Sequence, residues 1–264
     1  MAAQAPEGFD VARLRSLIRD TYSAVAEDPD QEFHFNRGAE YAVEQLNYPQ
    51  AELAQIPAAT TARFAGVGNP FLAGPIHEGE VVLDHACGAG TDLLLAARKV
   101  GTRGHAIGVD MTASMRERSR EGALSAGVGG RVDVLDGYLE ELPVRSSSVD
   151  VVLSNGVINL SPDKERVFSE VVRVLKPGGR LYLADVVIER DLRLDVRAQP
   201  DLWAACIGGA LPLSELFGLA QAAGLVECEV VQKHDAYADT LVSDRLSGSL
   251  WVQGVTFFAR KPEK

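Results

Sequence analysis

The pattern of apolar and polar positions changes character once along the chain. From Asp10, "VARLRSLIRDTYSAVA" sets Val11, Leu14, Leu17, Ile18 and Val25 at the spacing of an amphipathic helix, with Asp10 at its N-cap position. Pro29 and Gly38 break that pattern, and "AEYAVEQLNY" and "PQAELAQIPAATTARFAG" predict short helices before the connector "VGNPFLAGPIHEGE". Beyond it, seven short apolar runs read as strands: "EVVLDHA", "GHAIGVDM", "VDVLDGY", "VDVVLSNG", "RLYLADVV", "VECEVVQK" and "VTFFARK". Helical patterns separate most of them, in "GTDLLLAARKVG", "TASMRERSREGALSAG" with Thr112 as N-cap, "DKERVFSEVVRVL" and "LSELFGLAQAAG". Alternation of this kind predicts an α/β fold, a doubly wound and mostly parallel sheet with helices on both faces. Residues 1–78 are expected to form a helical cap or lid, and residues 79–264 the main domain.

Composition narrows the function. With 264 residues, 46% hydrophobic, the chain can bury a sizeable core. A formal net charge of −11 argues against gripping nucleic acid phosphates or an anionic membrane surface. The three cysteines, Cys87, Cys206 and Cys228, lack the spacing of a disulfide framework or a zinc site, so no metal is expected. No run of 18 apolar residues occurs, and "MAAQAPEGFD" lacks a basic stretch leading into an apolar core. The expectation is a soluble cytoplasmic protein, monomer or homodimer, that works on a small molecule.

The candidate chemistry sits where strands end. "DHACGAG" is a small-residue turn between a strand and a helix, and such turns let a ligand approach the backbone at a helix N-terminus. A dinucleotide fingerprint would carry a third glycine where Leu93 stands, and the Lys and Ser/Thr of a phosphate loop are missing. Asp110 ends the second strand, where an acid can accept both ribose hydroxyls of a nucleoside, and Met111 can lie against an adenine face. The third strand runs into Leu139 and Glu140, and the fourth ends at Asn155.

With these elements in order, the segment from about 80 to 188 resembles the class I S-adenosylmethionine-dependent methyltransferases. "VLDHACGAGTD", "GVDM", "LPVRSSSVDVVLSN" and "EVVRVLKPGGRLYLADV" follow that family's order and spacing. The resemblance implies a Rossmann-like, seven-stranded sheet and S-adenosyl-L-methionine as cofactor. It puts Asp84, Asp92 and the backbone of Cys87, Gly88 and Gly90 at the amino-acid part of the cofactor. It puts Asp110 at the ribose, Met111 on the adenine face, Leu139 and Glu140 at the adenine edge, and Asn155 beside the methionine end. Ala86 stands where the family usually has its first glycine, which is tolerable if that backbone does not need a positive φ.

A narrower resemblance, over roughly 40 to 225, is to the arsenite methyltransferases, through "GVGNP", "IGVDMT", "SNGVINLSPDK" and "LWAACIGGAL". That group holds As(III) through cysteine thiolates at three places, which fall here on Val67, Gly156 and Cys206. Only Cys206 keeps its sulfur, and one thiolate cannot form a trigonal sulfur cage around a soft centre. The exchange predicts a more apolar and roomier pocket, lined by Val67, Gly156, Asn159 and Cys206, that suits a small organic acceptor. Methylation of arsenite and cofactor binding without catalysis stay open as alternatives. Candidate bases or orienting groups in the cap are Glu32, His34 and Tyr22, with His85 and His234 further along. Phe33, Phe35 and Tyr41 could close over a sulfonium or an apolar substrate, or simply join the cap to the sheet. A nucleic acid methyltransferase is disfavoured by the charge and by "SNGV", where such enzymes carry (D/N)PPY.

Overall fold

The computed structural model describes residues 3–33, 35–189, 191–235 and 252–264. Helix α1 (Val11–Glu27) begins where the pattern placed it, because the Asp10 side chain accepts the Arg13 amide at 2.9 Å. Three short helices follow, α2 (Gly38–Glu44), α3 (Gln50–Leu53) and α4 (Ala58–Thr61), the last two each opened by a proline at the N-cap.

The alternating region then runs β1 (Val81–His85), α5 (Thr91–Lys99), β2 (His105–Asp110), α6 (Ala113–Ser125), β3 (Val132–Asp136), β4 (Val149–Asn155), α7 (Lys164–Val174) and β5 (Leu175–Ile188). It closes with α8 (Leu194–Arg197), α9 (Pro200–Ala204), β6 (Leu211–Pro212), α10 (Leu213–Ala222), β7 (Val226–His234) and β8 (Val252–Arg260). Seven strands pair in the order β3-β2-β1-β4-β5-β8-β7, and the two-residue β6 adds an eighth beside β5. All pairings are parallel except those of β8, which runs antiparallel to both neighbours. The chain proceeds outward from β1 through β2 to β3, then restarts at β4 on the other side. The carboxyl ends of β1 and β4 therefore form the switch point where ligands bind in such sheets.

Two local details differ from expectation. The fifth strand starts at Leu175 rather than Arg180, because Leu175 pairs with Val149 before "KPGG" bulges out and Arg180 resumes opposite Val151. Thr112 stands at the N-cap of α6, but its side chain makes no capping bond; its own amide donates to Asp110 Oδ1 at 2.8 Å.

One apolar core lies between the sheet and the α7–α10 layer, with Leu83, Val152, Phe168 and Phe257 fully buried. A second joins the cap to the sheet: Tyr41, Leu46, Tyr48, Leu53 and Phe64 share it with Leu93 and Leu94 of α5 and Ala106 of β2. The buried stripe of α1, Leu14 and Ile18, packs with Leu160, Val186 and Trp203. That seat lays α1 across the carboxyl ends of the strands. Among the described residues no helix is long and apolar enough to cross a membrane.

Candidate active site

A cavity with an empty volume of about 1060 Å³ opens at the switch point, beneath α1. Asp84, Ala86, Cys87, Gly88, Asp92, Asp110, Met111, Leu139, Glu140 and Asn155, ten of the residues singled out from the sequence, all line it. Gly90 shapes the turn from behind. It sits at φ +98, and a Cβ there would stand 2.6 Å from Ser119 Oγ.

Each of these positions has a local cause. Asp110 ends β2 with both oxygens bound to the backbone: Oδ2 accepts Gly88 N at 2.9 Å and Oδ1 accepts Thr112 N. The acid thereby fixes the glycine turn. Burial pushes its carboxyl above the ordinary value, while those amides and Arg116 pull the other way. Ala86 adopts φ +66, so the substitution of the family's first glycine does put a side chain in the left-handed region. Glu140 does not face the cavity unencumbered. Its carboxylate pairs with Arg15 of α1 at 3.5 Å and accepts a hydrogen bond from Ser161, and Arg15 also lies 4.0 Å over the Tyr138 ring.

Asn155 is the hub of the other end. Its Oδ1 accepts the amides of Val67 at 2.9 Å and Gly68 at 3.2 Å, and its Nδ2 donates to Gly68 O at 2.9 Å and to Asp92 Oδ2 at 3.0 Å. Tyr48 completes the arrangement by donating to Asp92 Oδ1 at 2.6 Å. Burial pushes Asp92 up to about 6 despite those two donors, and burial together with the Asp92 and Asp110 charges pushes Asp84 well above the carboxylate range. Asp84 Oδ2 is buried with no hydrogen-bond partner. Gly88, at φ +52, has open space where a Cβ would point. A cofactor with a ribose, an adenine and a cationic amino-acid tail fits these features: a buried carboxylate with one oxygen unpartnered, a second carboxylate held in place, and an open backbone cradle.

The expected acceptor wall is built differently. A Cβ at Gly156, φ +72, would lie 3.1 and 3.2 Å from the two methyls of Val67, so the valine already fills the space the glycine leaves. The exchange does not make the pocket roomier there, which corrects the sequence-based expectation. Val67, Gly156, Asn159 and Cys206 are not among the residues that line the cavity. The Asn159 side chain donates to Asp185 Oδ1 at 2.7 Å and to Gly156 O at 3.1 Å. Cys206 is buried at φ +60, and burial pushes its thiol up to about 12. The surface at this end comes instead from Leu14, Ile18, Tyr22, Val157 and Leu160.

Of the candidate bases among the described residues, only Tyr22 reaches the cavity. Its hydroxyl is held well above its ordinary pKa, first by burial and then by Cys206, Asp110 and Asp185, so it stays protonated. Glu32 is exposed and away from the cavity, and His34 lies outside the described residues. His85 is fully buried on the other side of β1, with Nδ1 3.4 Å from Ser154 Oγ. His234 spends its Nε2 on Val67 O at 2.6 Å, which together with Asn155 pins the 66–69 loop. Phe33 and Phe35 stack on one another at 5.5 Å and pack with Val25, Ala89 and Met115, and Tyr41 belongs to the cap core. They join the cap to the sheet. Tyr48, Arg15, Arg63 and Gly66 were not anticipated, because the sequence carries no spacing signal for a residue that reaches a site through cap docking. Among the described residues no group of three potential metal ligands occurs.

Comparison with known proteins agrees with this geometry. A family model described as a methyltransferase domain matches residues 76–239. The arsenite methyltransferase of Halobacterium salinarum is 37% identical over 223 residues, which cover 84% of this chain and 56% of that protein. The human arsenite methyltransferase is 35% identical over 192 residues, 69% of this chain and 51% of that one. The chain thus spans little more than half the length of the curated relatives it matches. The crystal structure of an arsenic(III) S-adenosylmethionine methyltransferase from Chlamydomonas reinhardtii superposes with a TM-score of 0.67 at 36% identity, covering 81% of this chain and 73% of that one. With a family model over more than half its length and a cavity of this shape at the switch point, the chain belongs to the class I S-adenosylmethionine-dependent methyltransferases.

Proposed function

We propose that this protein transfers the methyl group of S-adenosylmethionine to a small, uncharged organic acceptor held beneath α1. The observation that carries the acceptor class is the packing of Val67 against Gly156, which leaves Cys206 as the one sulfur at the three arsenic-binding positions of the related enzymes. That thiol stays protonated near neutral pH and is not among the residues that line the cavity, the opposite of what a thiophilic As(III) centre requires.

The sulfonium supplies an activated methyl group, and transfer is an in-line displacement whose main demand is alignment. In this reading Asp110 and the 86–90 turn hold the adenosyl part. Asp84 and Asp92 hold the ammonium of the tail, with Asn155 and Tyr48 fixing Asp92. The apolar wall of Leu14, Ile18, Val157 and Leu160 excludes water and orients the acceptor, while the Tyr22 hydroxyl offers a hydrogen bond rather than a base. An acceptor already nucleophilic without deprotonation by the protein, such as an amine or an electron-rich carbon, matches this lining.

Arsenite is the second reading, favoured by the identity to arsenite methyltransferases and by the surviving Cys206. Calorimetric titration with S-adenosylmethionine, then with arsenite in the presence of S-adenosylhomocysteine, separates the two. The expected result is micromolar cofactor binding and no arsenite heat. Arsenite binding that disappears in Cys206→Ser would overturn the organic assignment.

A further inference from the structure

Lys164 is a charge at odds with its surroundings. It is the first residue of α7, the end of a helix where the macrodipole disfavours a cation, and its side chain is fully buried. Among the described residues its Nζ donates one hydrogen bond, to the Ser161 carbonyl at 2.9 Å, lies 4.3 Å from the centre of the Trp203 ring, and forms no ion pair. Burial lowers the ammonium to about 7; Asp185 of β5, Glu140 and Asp163 offset that only in part, and Arg197 of α8 adds to it. The N-terminal segment closes over the same place: the Lys164 amide donates to Ala3 O at 3.0 Å, and the Ala5 amide to Pro162 O at 2.8 Å. A methionine would fill this space without desolvating a charge, so packing alone does not call for an ammonium here.

Ser161 faces two ways. Its carbonyl accepts Lys164, which is not among the residues that line the cavity, while its hydroxyl donates to the Glu140 carboxylate. Glu140 in turn pairs with Arg15 of α1 at 3.5 Å, and Ser161, Glu140 and Arg15 all line the cavity. One peptide thus links a buried ammonium to the place where the segments after β3 and β4 meet α1. We propose that Lys164 is a positioning residue for ligand binding: by holding the Ser161 carbonyl it aims the Ser161 hydroxyl at Glu140 and sets the Glu140–Arg15 pair that joins α1 to the cavity wall. The proposal rests on the methyltransferase reading, in which Glu140 stands at the adenine edge of the cofactor. It assigns an effect on ligand affinity to a residue that lines no part of the cavity. If Lys164 only tied α7 to the N-terminal segment, its loss would lower stability and leave ligand affinity alone.

The test measures S-adenosylhomocysteine affinity by calorimetry and stability by urea denaturation. The proteins are the intact chain, Lys164→Met, Lys164→Gln, Ser161→Ala and the Lys164→Met, Ser161→Ala double variant. Lys164→Met should bind ~3- to 10-fold more weakly, the scale of one hydrogen bond, with a urea midpoint no lower than that of the intact chain. Lys164→Gln keeps an N–H for the Ser161 carbonyl and should recover part of the loss. Ser161→Ala should match Lys164→Met, and the double variant should bind no more weakly than either single, because both act on one contact. Full affinity in either single variant, losses that multiply in the double, or a lowered urea midpoint in Lys164→Met would overturn the assignment and leave the methyltransferase reading standing. An intact chain that does not bind S-adenosylhomocysteine would overturn that reading itself.

Discussion

If Asp92 holds the cofactor's ammonium as proposed, cofactor affinity depends on pH through the Tyr48–Asp92 pair, and Tyr48→Phe should expose it. The change keeps the ring, which packs on Phe64 at 5.2 Å and Phe71 at 6.2 Å, and removes only the hydroxyl that donates to Asp92 at 2.6 Å. Asp92 ionises at about 6 in the folded chain, against an ordinary 3.8. Because the folded value is the higher one, the native state is favoured below 3.8. It loses roughly 3 kcal/mol as the pH rises through 6 and the unfolded carboxyl ionises first. A ligand ammonium needs the ionised form, so wild-type affinity for S-adenosylhomocysteine should fall ~10-fold between pH 7 and pH 5.

A hydrogen bond to a charged group contributes ~1.5–3 kcal/mol, part of which the protonated acid also enjoys. Removing it should raise the pH at which Asp92 ionises by roughly one to two pH units. At pH 7 the variant would then bind ~2- to 10-fold more weakly than wild type, and by pH 8.5 the gap should nearly close. Calorimetric affinities from pH 5 to 8.5 for both proteins provide the assay. A deficit of the same size at every pH would mean that the hydroxyl acts through packing or direct contact. A wild-type affinity that is flat below pH 6 would refute the role of Asp92 altogether.

Two further outcomes follow from His85 and Ala86 in and after β1. His85 is neutral in the fold because burial drags it down to about 4, so as pH falls from 6.5 the unfolded chain takes up a proton that the native state refuses. Stability should drop by roughly 2.5 kcal/mol between pH 7 and 4.5 from this residue alone, and urea denaturation of His85→Gln should lack that component; an unchanged acid sensitivity in the variant would refute it. Ala86→Gly relieves a left-handed alanine worth ~1–2 kcal/mol but loosens the unfolded chain by ~0.4–1 kcal/mol. A net gain of about 0.5–1 kcal/mol is expected in the urea midpoint, and a loss would mean that the Ala86 methyl packs productively.

How much of this was legible in the sequence depends on the range of the interaction involved. The cap at Asp10, the seven strand runs and the glycine turn are local, and each is written in a few adjacent residues. The residues matched to the cofactor motifs come to one cavity because they sit at the ends of β1, β2 and β4 or just after β3, where the parallel order carries them. Features set by pairing across the fold were not legible. Tyr48 meets Asp92 across 44 residues, and Arg63 reaches the cavity only because the cap docks on α5. The backbone sign at Ala86 likewise shows only in the folded turn. Residues 67 and 156 make the strongest case. Read singly, a valine and a glycine in place of two thiols argue for an apolar and enlarged pocket. Read together, the valine's methyls occupy what the glycine vacates. In the proposed reading the acceptor would be recognised by residues that line the cavity: Leu14, Ile18 and Tyr22 of α1, with Val157 and Leu160 after β4. Substitutions there, rather than at the old thiol positions, are where acceptor selectivity would change.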